Sequence, residues 1–291
     1  MAIAKSSSDQ RRGVLLALSG ILVLSPDGLL IRLISTDDWT LLFWRGLLTS
    51  ITLMVALFVI HKKAVGHMFI AMQKKGLVAG VIQALGTIFF VLAITHTSVA
   101  NTLIVIGVTP LWAALFSHIF LGEKIHLRTW IAIPIALSGI YITTNTAIQI
   151  NAGDIYAICA SVFISGHGVL VRSAKPIDFT PSLVLGGLVI AAVGLLKANP
   201  MAVSKPDILY LSLLGFLVLP LSFGLLVAAP RYIPAPEVNL ILLLEMVFGS
   251  YWVWLVLDEQ PTPQAFIGGS IILITLAIHT YLGFRASQKT A

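Results

Sequence analysis

Apolar residues occur in ten long blocks along the chain, and short polar connections separate the blocks. Each block holds close to the roughly 20 residues that a helix needs to cross the hydrocarbon core of a bilayer. The pattern therefore predicts an all-α integral membrane protein with ten transmembrane helices. The predicted spans are residues 13–34, 39–60, 76–95, 98–120, 128–145, 153–172, 180–197, 207–229, 235–257 and 264–284.

Composition supports the membrane assignment and excludes several other classes. Apolar residues make up 58% of the 291-residue chain, charged residues make up 10%, and mean hydropathy is +0.98. A soluble domain has about 25% charged residues, so a soluble enzyme, a disordered chain and a nucleic-acid-binding domain are excluded. The single cysteine, Cys159, excludes an internal disulfide and a cysteine-based metal site. Because the connections are short, residues 1–291 are expected to form a single membrane domain.

The distribution of Lys and Arg predicts the orientation. If the N-terminus is inside, fourteen of the 18 basic residues fall in cytoplasmic segments, three fall in external loops, and Arg45 lies within a span. Cytoplasmic loops carry such an excess of positive charge. We expect a multi-pass protein of the cell inner (plasma) membrane with both termini cytoplasmic. The first block has spanning length and contains Pro26 and Asp27, so we expect a retained helix rather than a cleaved signal peptide.

The two halves of the chain resemble each other. A shift of 140 residues places the segment SPDGLLIR (25–32) over SGHGVLVR (165–172), with Ser, Gly, Leu and Arg in register. Each half, about 13–145 and 153–284, contains five predicted spans, and an odd number gives the halves opposite orientations. Two inverted five-helix repeats are typical of secondary transporters, which bind substrate between the halves at mid-membrane. The alternative is an old duplication in a protein with no transport role.

Short motifs at matching places in the two halves indicate a family. They are TSVAN at 97–101, TP at 109–110 and LGEK at 121–124, then the segment 235–239, EM at 245–246 and LDE at 257–259. With these motifs the chain resembles the EamA-type ten-helix branch of the drug/metabolite transporter superfamily, and within it the bacterial aromatic amino acid exporters. The resemblance implies a central cavity lined by spans 1, 3, 4, 6, 8 and 9, and export of small metabolites. The chain departs from the family pattern in having Glu245-Met246 where the family often has Glu-Pro.

Two opposite charges inside the membrane predict an ion pair. Asp27 lies nine residues before the midpoint of the first external loop, and Arg45 lies nine residues after it. An antiparallel hairpin places them at the same depth, and charges within a membrane are usually paired or functional. We expect an Asp27–Arg45 pair near the outer side, which acts either as a gate or as a structural pin of the hairpin. The equivalent residues of the other repeat, His167 and Leu185, cannot form an ion pair.

Residues that weaken a helix flank Asp27 and its repeat equivalent, His167. The flanking residues are Pro26, Gly28, Gly166 and Gly168. Proline removes a backbone donor and kinks a helix, and freed backbone groups at membrane depth are tolerated where they line a cavity. We predict a hinge next to a cavity at both places; the alternative is simple helix packing.

Glu245 is the deepest carboxylate, and no basic residue lies one turn away from it. Burial favours its neutral form, which makes it a candidate for proton coupling or for binding a substrate ammonium group; the alternative is a protonated side chain bonded to a helix backbone. Further polar and aromatic side chains are predicted to line the substrate site. These are Ser25, Gln83, Asn101, Thr109, Trp112, Ser165, His167 and Asn239, while Trp44 is placed with the gate. Each of the uncharged polar residues alone is more often an interhelical hydrogen bond.

Together these patterns predict a secondary transporter that exports amino acids, aromatic and other neutral ones, by alternating access. The alternatives are an exporter of another small metabolite or drug and, less favoured by the short loops, a membrane scaffold or a membrane enzyme. The sequence has no P-loop and no metalloprotease or serine hydrolase motif. We therefore expect no enzyme activity, cofactor, metal or nucleic-acid partner. The expected partners are a small-molecule substrate and the lipid bilayer, with Gly76 and Gly80 packed closely inside a monomer.

Overall fold

A computed structural model describes residues 7–122, 127–144, 151–173, 177–229, 232, 241–242 and 244–289. These residues are helical apart from short connections and include no strand, which confirms the predicted all-α class. The helices are α1 (Ser7–Leu24), α2 (Asp27–Leu33), α3 (Asp38–His61), α4 (Val65–His96), α5 (Val99–Ile106), α6 (Thr109–Leu121), α7 (Leu127–Thr144), α8 (Ala152–Ser173), α9 (Thr180–Leu195), α10 (Lys205–Ser212), α11 (Leu219–Ala228), α12 (Leu244–Leu257) and α13 (Pro263–Lys289).

The first apolar block forms two helices, because its hydrogen-bond ladder is interrupted at Pro26. Helix α1 ends at Leu24, residues 25–26 form a turn, and α2 begins at Asp27. Pro26 has no N–H to donate to the carbonyl of Leu22 one turn back. The hydroxyl of Ser25 donates to that carbonyl instead, at 2.9 Å. The predicted break at Pro26 is therefore present, and the freed carbonyl is satisfied locally.

The fourth apolar block is interrupted in the same way. Helix α5 ends at Ile106, residues 107–108 form a turn, and α6 begins at Thr109 with Pro110 in its first turn. Pro110 leaves the carbonyl of Ile106 without its usual donor, and the Thr109 hydroxyl donates to it. The sequence analysis did not predict this break. The Thr-Pro pair was the available signal, because Ser25-Pro26 has the same arrangement.

A capping carboxylate fixes the start of α3. The side chain of Asp37 accepts the N–H groups of Trp39 and Thr40, both at 3.0 Å. Slight burial acts to raise the pKa of Asp37, but these bonds and the Thr40 hydroxyl outweigh it and hold the pKa below its ordinary value. Asp37 therefore remains an ionised N-cap at neutral pH and fixes the connection between α2 and α3.

Two further helices depart from regular geometry, whereas α8 does not. Helix α4 bends at Gln73 (φ 49°, ψ −152°), and the predicted third span begins just after this bend. A π-helical segment, Leu213–Val218, joins α10 to α11, and such segments are frequent at functional sites. By contrast, α8 runs without interruption through Gly166 and Gly168. It contains no proline, so the break seen at Pro26 has no counterpart there.

The two halves meet through closely packed glycines. Helix α3 packs along α9, and α4 packs along α8 and α9. A Cβ atom on Gly46 would lie 2.5 Å from the carbonyl oxygen of Gly187, and one on Gly187 would lie 2.9 Å from the carbonyl oxygen of Gly46. One on Gly194 would lie 2.6 Å from the backbone nitrogen of Phe43. The backbones of α3 and α9 therefore touch, as small residues allow in membrane helices.

Large apolar side chains cover the outer surface, as a lipid environment requires. Phe120 is 73% exposed and Leu196 is 81% exposed. Among the residues that the structure describes, five helical stretches are long and apolar enough to cross a membrane, namely Arg11–Leu33, Asp38–His96, Val99–Leu121, Ala152–Val171 and Lys205–Leu226. Shorter apolar helices occupy Trp130–Ile142, Thr180–Leu195, Leu244–Leu257 and Pro263–His279. These are the features of a multi-pass membrane protein.

Candidate functional site

A buried ion pair lies at the break between α1 and α2. The two terminal guanidinium nitrogens of Arg45, Nη1 and Nη2, donate to the two oxygens of the Asp27 carboxylate, at 2.5 and 2.7 Å. Asp27 is 3% exposed and Arg45 is 4% exposed, and the guanidinium lies 6.0 Å from the ring centre of Phe90. This geometry confirms the predicted Asp27–Arg45 pair. Its role as a gate remains a prediction.

The break itself is held by α12. The hydroxyl of Ser25 accepts a hydrogen bond from the indole nitrogen of Trp252 at 2.9 Å. Trp252 is not among the residues predicted from the sequence, because its position along the helix gives no sign of this contact. The Ser25 hydroxyl therefore makes two hydrogen bonds, one donated to the Leu22 carbonyl and one accepted from the Trp252 indole, and it stabilises the broken span.

Helix α12 also contacts the second break, at residues 107–108, through Met246. Glu245 is the residue before Met246 on this helix. The sulfur of Met246 packs so closely on Gly107 that a Cβ atom there would lie 2.5 Å from it. Glu245 lies within electrostatic reach of both Asp27 and Arg45. The sequence showed no basic residue one turn from Glu245. The charges that act on Glu245 come from α2 and α3, which the spacing along its own helix could not show.

A small polar cavity lies next to the ion pair, between the two halves. It is lined by Arg45, Gly46, Thr49, Leu53, Gln83, Thr87, Leu183, Gly187, Ile190, Leu219 and Phe223. Its free volume of about 20 Å³ has room for one water molecule but not for an amino acid. The lining helices are α3, α4, α9 and α11, whereas the family resemblance implied a cavity between spans 1, 3, 4, 6, 8 and 9. Of the predicted lining residues, Gln83 lies here.

Three polar atoms of this lining are buried and have no hydrogen-bond partner among the residues that the structure describes. They are Arg45 Nε, Thr49 Oγ1 and Gln83 Oε1. The amide nitrogen of Gln83 donates to Thr87 at 3.2 Å, which turns the oxygen away from Thr87. Thr49 is not among the site residues predicted from the sequence. Its position four residues after Arg45, on the same face of α3, could have indicated that it lies beside the ion pair.

Other residues that were predicted to line the substrate site lie away from this cavity. The Ser165 hydroxyl donates to the carbonyl of Thr109 at 3.0 Å and so joins α8 to the second break. Trp112 stacks on Phe116 with 6.2 Å between ring centres. His167 is half-buried, and its Nε2 atom lacks a partner within the described part of the chain. These contacts are helix packing, and a substrate-binding role for the residues remains a prediction.

The predicted hinge glycines have different surroundings. A Cβ atom on Gly28 would lie 2.8 Å from Val99, so Gly28 is a close contact between α2 and α5. Gly166 has only Ile82 nearby, at 3.8 Å, and Gly168 has nothing within 4 Å. Asn239 lies outside the described residues, as do Glu123 and Lys124 of the LGEK motif.

Polar contacts between the halves lie at one end of the molecule. At this end the connections meet that the Lys and Arg distribution predicts to be external. We call this set the loop cluster; it consists of Arg32, Ser35, Thr40, Trp44, Asn101, Asp154, Asn199, Pro200, Asp207 and Glu259. Ser35 donates its N–H and its hydroxyl to Asp207, both at 2.8 Å. Asn101 donates to Asp154 at 2.5 Å, and Arg32 pairs with Glu259 at 3.4 Å. The loop cluster therefore ties the first half to the second at one end.

Two residues predicted for the substrate site or the gate belong to this loop cluster. The amide of Asn101 is engaged by Asp154, and the indole of Trp44 donates to the carbonyl of Pro200 at 3.2 Å. The sequence analysis missed Asp154 and Asp207, which are 1% and 2% exposed. Each lies three residues after a capping residue, Asn151 or Ser204, and this capping spacing was the available signal.

The loop cluster gives a stability prediction. Asp207→Ala removes the acceptor of both Ser35 bonds as well as the Ser204 contact. We expect it to lower the free energy of unfolding by about 2–3 kcal/mol, since bonds to a charged group are worth more than neutral ones. Thermal unfolding of the purified protein in detergent measures this. Ser204→Ala is the matched control, because it removes only the cap within the second half, worth about 1 kcal/mol. Equal losses in the two variants would show that Asp207 does not tie the halves together.

A membrane protein whose described residues are helical, with broken spans and a buried ion pair, has the architecture of a membrane transporter. The model of the EamA-like transporter family matches the chain twice, over residues 11–145 and 151–281. The chain therefore belongs to the EamA-like transporter family, which confirms the family inferred from the short motifs. The narrower resemblance to aromatic amino acid exporters stays a prediction.

Relatives of this chain are named as transporters, and a solved structure shares its fold. The pseudopaline exporter CntI of Pseudomonas aeruginosa (strain UCBPP-PA14) is 26% identical, over 87% of this chain and 96% of that protein. The uncharacterized transporter YyaM of Bacillus subtilis (strain 168) is 25% identical, over 56% of this chain and 57% of its own length. A solved crystal structure superposes with a TM-score of 0.67 at 16% identity, covering 95% of this chain and 99% of the other. At that identity the superposition establishes the shared fold.

Proposed function

We propose that this protein is a secondary transporter that exports amino acids, aromatic and other neutral ones, by alternating access through a central site. The observation that carries the proposal is the buried Asp27–Arg45 pair, which lies beside Glu245 and a polar cavity between the halves. Charges in a membrane interior are retained where they act on a substrate or an ion. A site that contains both signs of charge matches a substrate that carries both, as an amino acid does.

The proposed architecture is ten spans in two inverted five-helix repeats, about 13–145 and 153–284, within one membrane domain. The double match of the family model supports it, because the matched segments coincide with the proposed repeats. The reciprocal contact of Gly46 with Gly187 supports it further, since α3 and α9 form the second proposed span of each half. We propose an inner-membrane location with both termini cytoplasmic, on the basis of the Lys and Arg distribution.

In this proposal the two halves rock against each other, and the ion pair is part of the gate. Asp27 and Arg45 belong to adjacent helices of the first half, and the loop cluster joins that half to the second. The Pro26 break is the proposed hinge, with Gly28, Gly166 and Gly168 at the corresponding places of the repeats. Glu245 is proposed to bind the substrate ammonium group or a coupling proton, because it shares the electrostatic environment of the pair.

A second candidate is export of another small metabolite. The relative named as a pseudopaline exporter supports it, because that protein is matched over 87% of this chain. Both candidates use the same fold and the same site, and they differ in the substrate.

Counterflow in proteoliposomes tests the proposal. Vesicles loaded with unlabelled phenylalanine are expected to accumulate labelled phenylalanine transiently, and unlabelled neutral amino acids outside should compete with it. The control is a set of vesicles prepared without protein. No exchange of any amino acid by folded protein would contradict amino acid export, and exchange of a different metabolite in the same assay would establish the second candidate.

A further inference from the structure

The cavity beside the ion pair has polar walls whose hydrogen-bonding capacity is unused. Arg45 is 4% exposed and Thr49 is 7% exposed, so both are more than nine-tenths buried. Arg45 Nε, Thr49 Oγ1 and Gln83 Oε1 have no partner among the described residues, and all three residues line this one cavity. Buried polar groups in proteins are nearly always paired, which indicates that something polar occupies the cavity in the working protein.

The three atoms differ in what they offer. The Nε–H group of Arg45 can only donate, the Thr49 hydroxyl can donate or accept, and the Gln83 oxygen can only accept. Nη1 and Nη2 of Arg45 already donate to Asp27, so the Nε–H group is the one that can donate to a ligand in the cavity. Two donors, one of them on a guanidinium group, suit a carboxylate. The Gln83 oxygen lies against the backbone of Gly186, where a Cβ atom would clash with it.

The rest of the lining is apolar apart from Thr87, whose hydroxyl accepts the amide N–H of Gln83. Leu53 comes from α3, Leu219 and Phe223 come from α11, and Gly46 and Gly187 bring the two backbones together between them. A ligand with a charged head and an apolar tail fits this division between polar and apolar walls. The present free volume of about 20 Å³ admits only a water-sized group, so a larger ligand enters when α3 and α11 separate.

We infer that this cavity receives the carboxylate of an α-amino acid, which is bound by the Nε–H of Arg45 and the hydroxyl of Thr49. The side chain of the amino acid faces Leu53, Leu219 and Phe223. The inference rests on the proposed function and adds the chemistry of recognition: the substrate must carry a free carboxylate. The Thr49 hydroxyl favours an acid over its amide, because a bond to a charged carboxylate oxygen is stronger than a bond to a neutral amide.

Thr49→Val tests this inference, since valine keeps the shape of threonine and removes the hydroxyl. The probes are phenylalanine, phenylalanine amide, phenethylamine and 3-phenylpropionate, measured by thermal stabilisation of the purified protein and by competition in counterflow. For the unmodified protein we expect phenylalanine to bind at least about tenfold more tightly than its amide, as one bond to a charged group implies. Thr49→Val should weaken phenylalanine binding by about tenfold and weaken binding of the amide by less, because the amide loses only a neutral hydrogen bond.

Thr52→Val is the matched control on the same helix. Its hydroxyl already donates to the carbonyls of Leu48 and Gly215, at 2.8 and 3.1 Å, and Thr52 does not line the cavity. We expect this variant to keep the selectivity of the unmodified protein for phenylalanine over its amide. Thr49→Ser should restore most of the selectivity that Thr49→Val loses, which separates loss of the hydroxyl from a packing defect.

The outcomes for the inference and for the proposed function differ. Equal binding of phenylalanine and its amide, equal behaviour of Thr49→Val and Thr52→Val, or no stabilisation by any amino acid would overturn the inference and leave a water site only. Stabilisation that depends on Thr49, but with no exchange in vesicles, would support the inference and contradict amino acid transport. Exchange that is insensitive to Thr49 would support transport and overturn the inference.

Discussion

Removing one member of the Asp27–Arg45 pair is expected to damage the protein more than removing both. Asp27→Asn leaves the Arg45 charge buried at 4% exposure with no carboxylate on its two guanidinium nitrogens. Breaking a buried pair from one side typically lowers the free energy of unfolding by about 3–5 kcal/mol. We expect a loss of this size for Asp27→Asn and for Arg45→Gln, measured by thermal unfolding in detergent. The double variant should recover most of it, because no uncompensated charge remains.

The double variant also separates the gate from the structural pin. If the pair serves only to pin the hairpin, the stable double variant should exchange substrate at nearly the rate of the unmodified protein. If the pair is a gate, exchange should change severalfold even where stability is restored. Asp258→Asn is the control, because Asp258 is an exposed carboxylate in the connection after α12. Single and double variants that all match the control in stability and exchange would remove the gate proposal.

Adding one carbon atom at Gly46 is expected to have a large effect on the contact between the halves. The Cβ of Gly46→Ala would lie 2.5 Å from the carbonyl oxygen of Gly187 and 2.7 Å from the backbone nitrogen of Ala191. Neither atom can rotate away, so α3 and α9 must move apart. Overpacking of this kind typically lowers the free energy of unfolding by about 1–3 kcal/mol. We expect a loss at the upper end of that range, together with a strong loss of counterflow.

Gly66→Ala is the matched control for Gly46→Ala. Gly66 also lies in a helix, and a Cβ atom there would have nothing within 4 Å. Alanine favours the helix over glycine by about 1 kcal/mol, so this variant should be unchanged or slightly more stable. Equal behaviour of the two variants would show that α3 and α9 are not held at backbone contact. The comparison tests the packing of the halves independently of any substrate.

The helix positions and the ion pair could be predicted because they depend on local periodicity and on one short hairpin. Long apolar blocks give the helices, and equal spacing of Asp27 and Arg45 about a single loop gives their common depth. The break at Pro26 followed from the chemistry of proline. The break before Pro110 follows from the same chemistry, and the hydroxyl of the preceding Thr109 is the detail that joins the two cases.

The polar cavity and the loop cluster could not be predicted from spacing along the chain. Thr49 and Gln83 belong to different helices, and Trp252 bonds to Ser25 across 227 positions. Gly166 and Gly168 resemble Gly28 in the sequence repeat, yet α8 continues through them because no proline interrupts its hydrogen bonds. Equivalent sequence positions therefore have different conformations in the two halves.

The sequence by itself determined that this protein is helical, membrane-embedded and composed of two related halves, because apolar length, charge distribution and internal similarity are properties of the linear chain. It also determined the ion pair, since both members lie in one hairpin. Only the tertiary structure decided which polar groups face one another across the halves. The cavity that Arg45, Thr49 and Gln83 share, and the contact between Gly46 and Gly187, depend on helix rotation and on how closely the backbones approach. Those quantities are set by the packing of all the helices at once, and no local pattern encodes them.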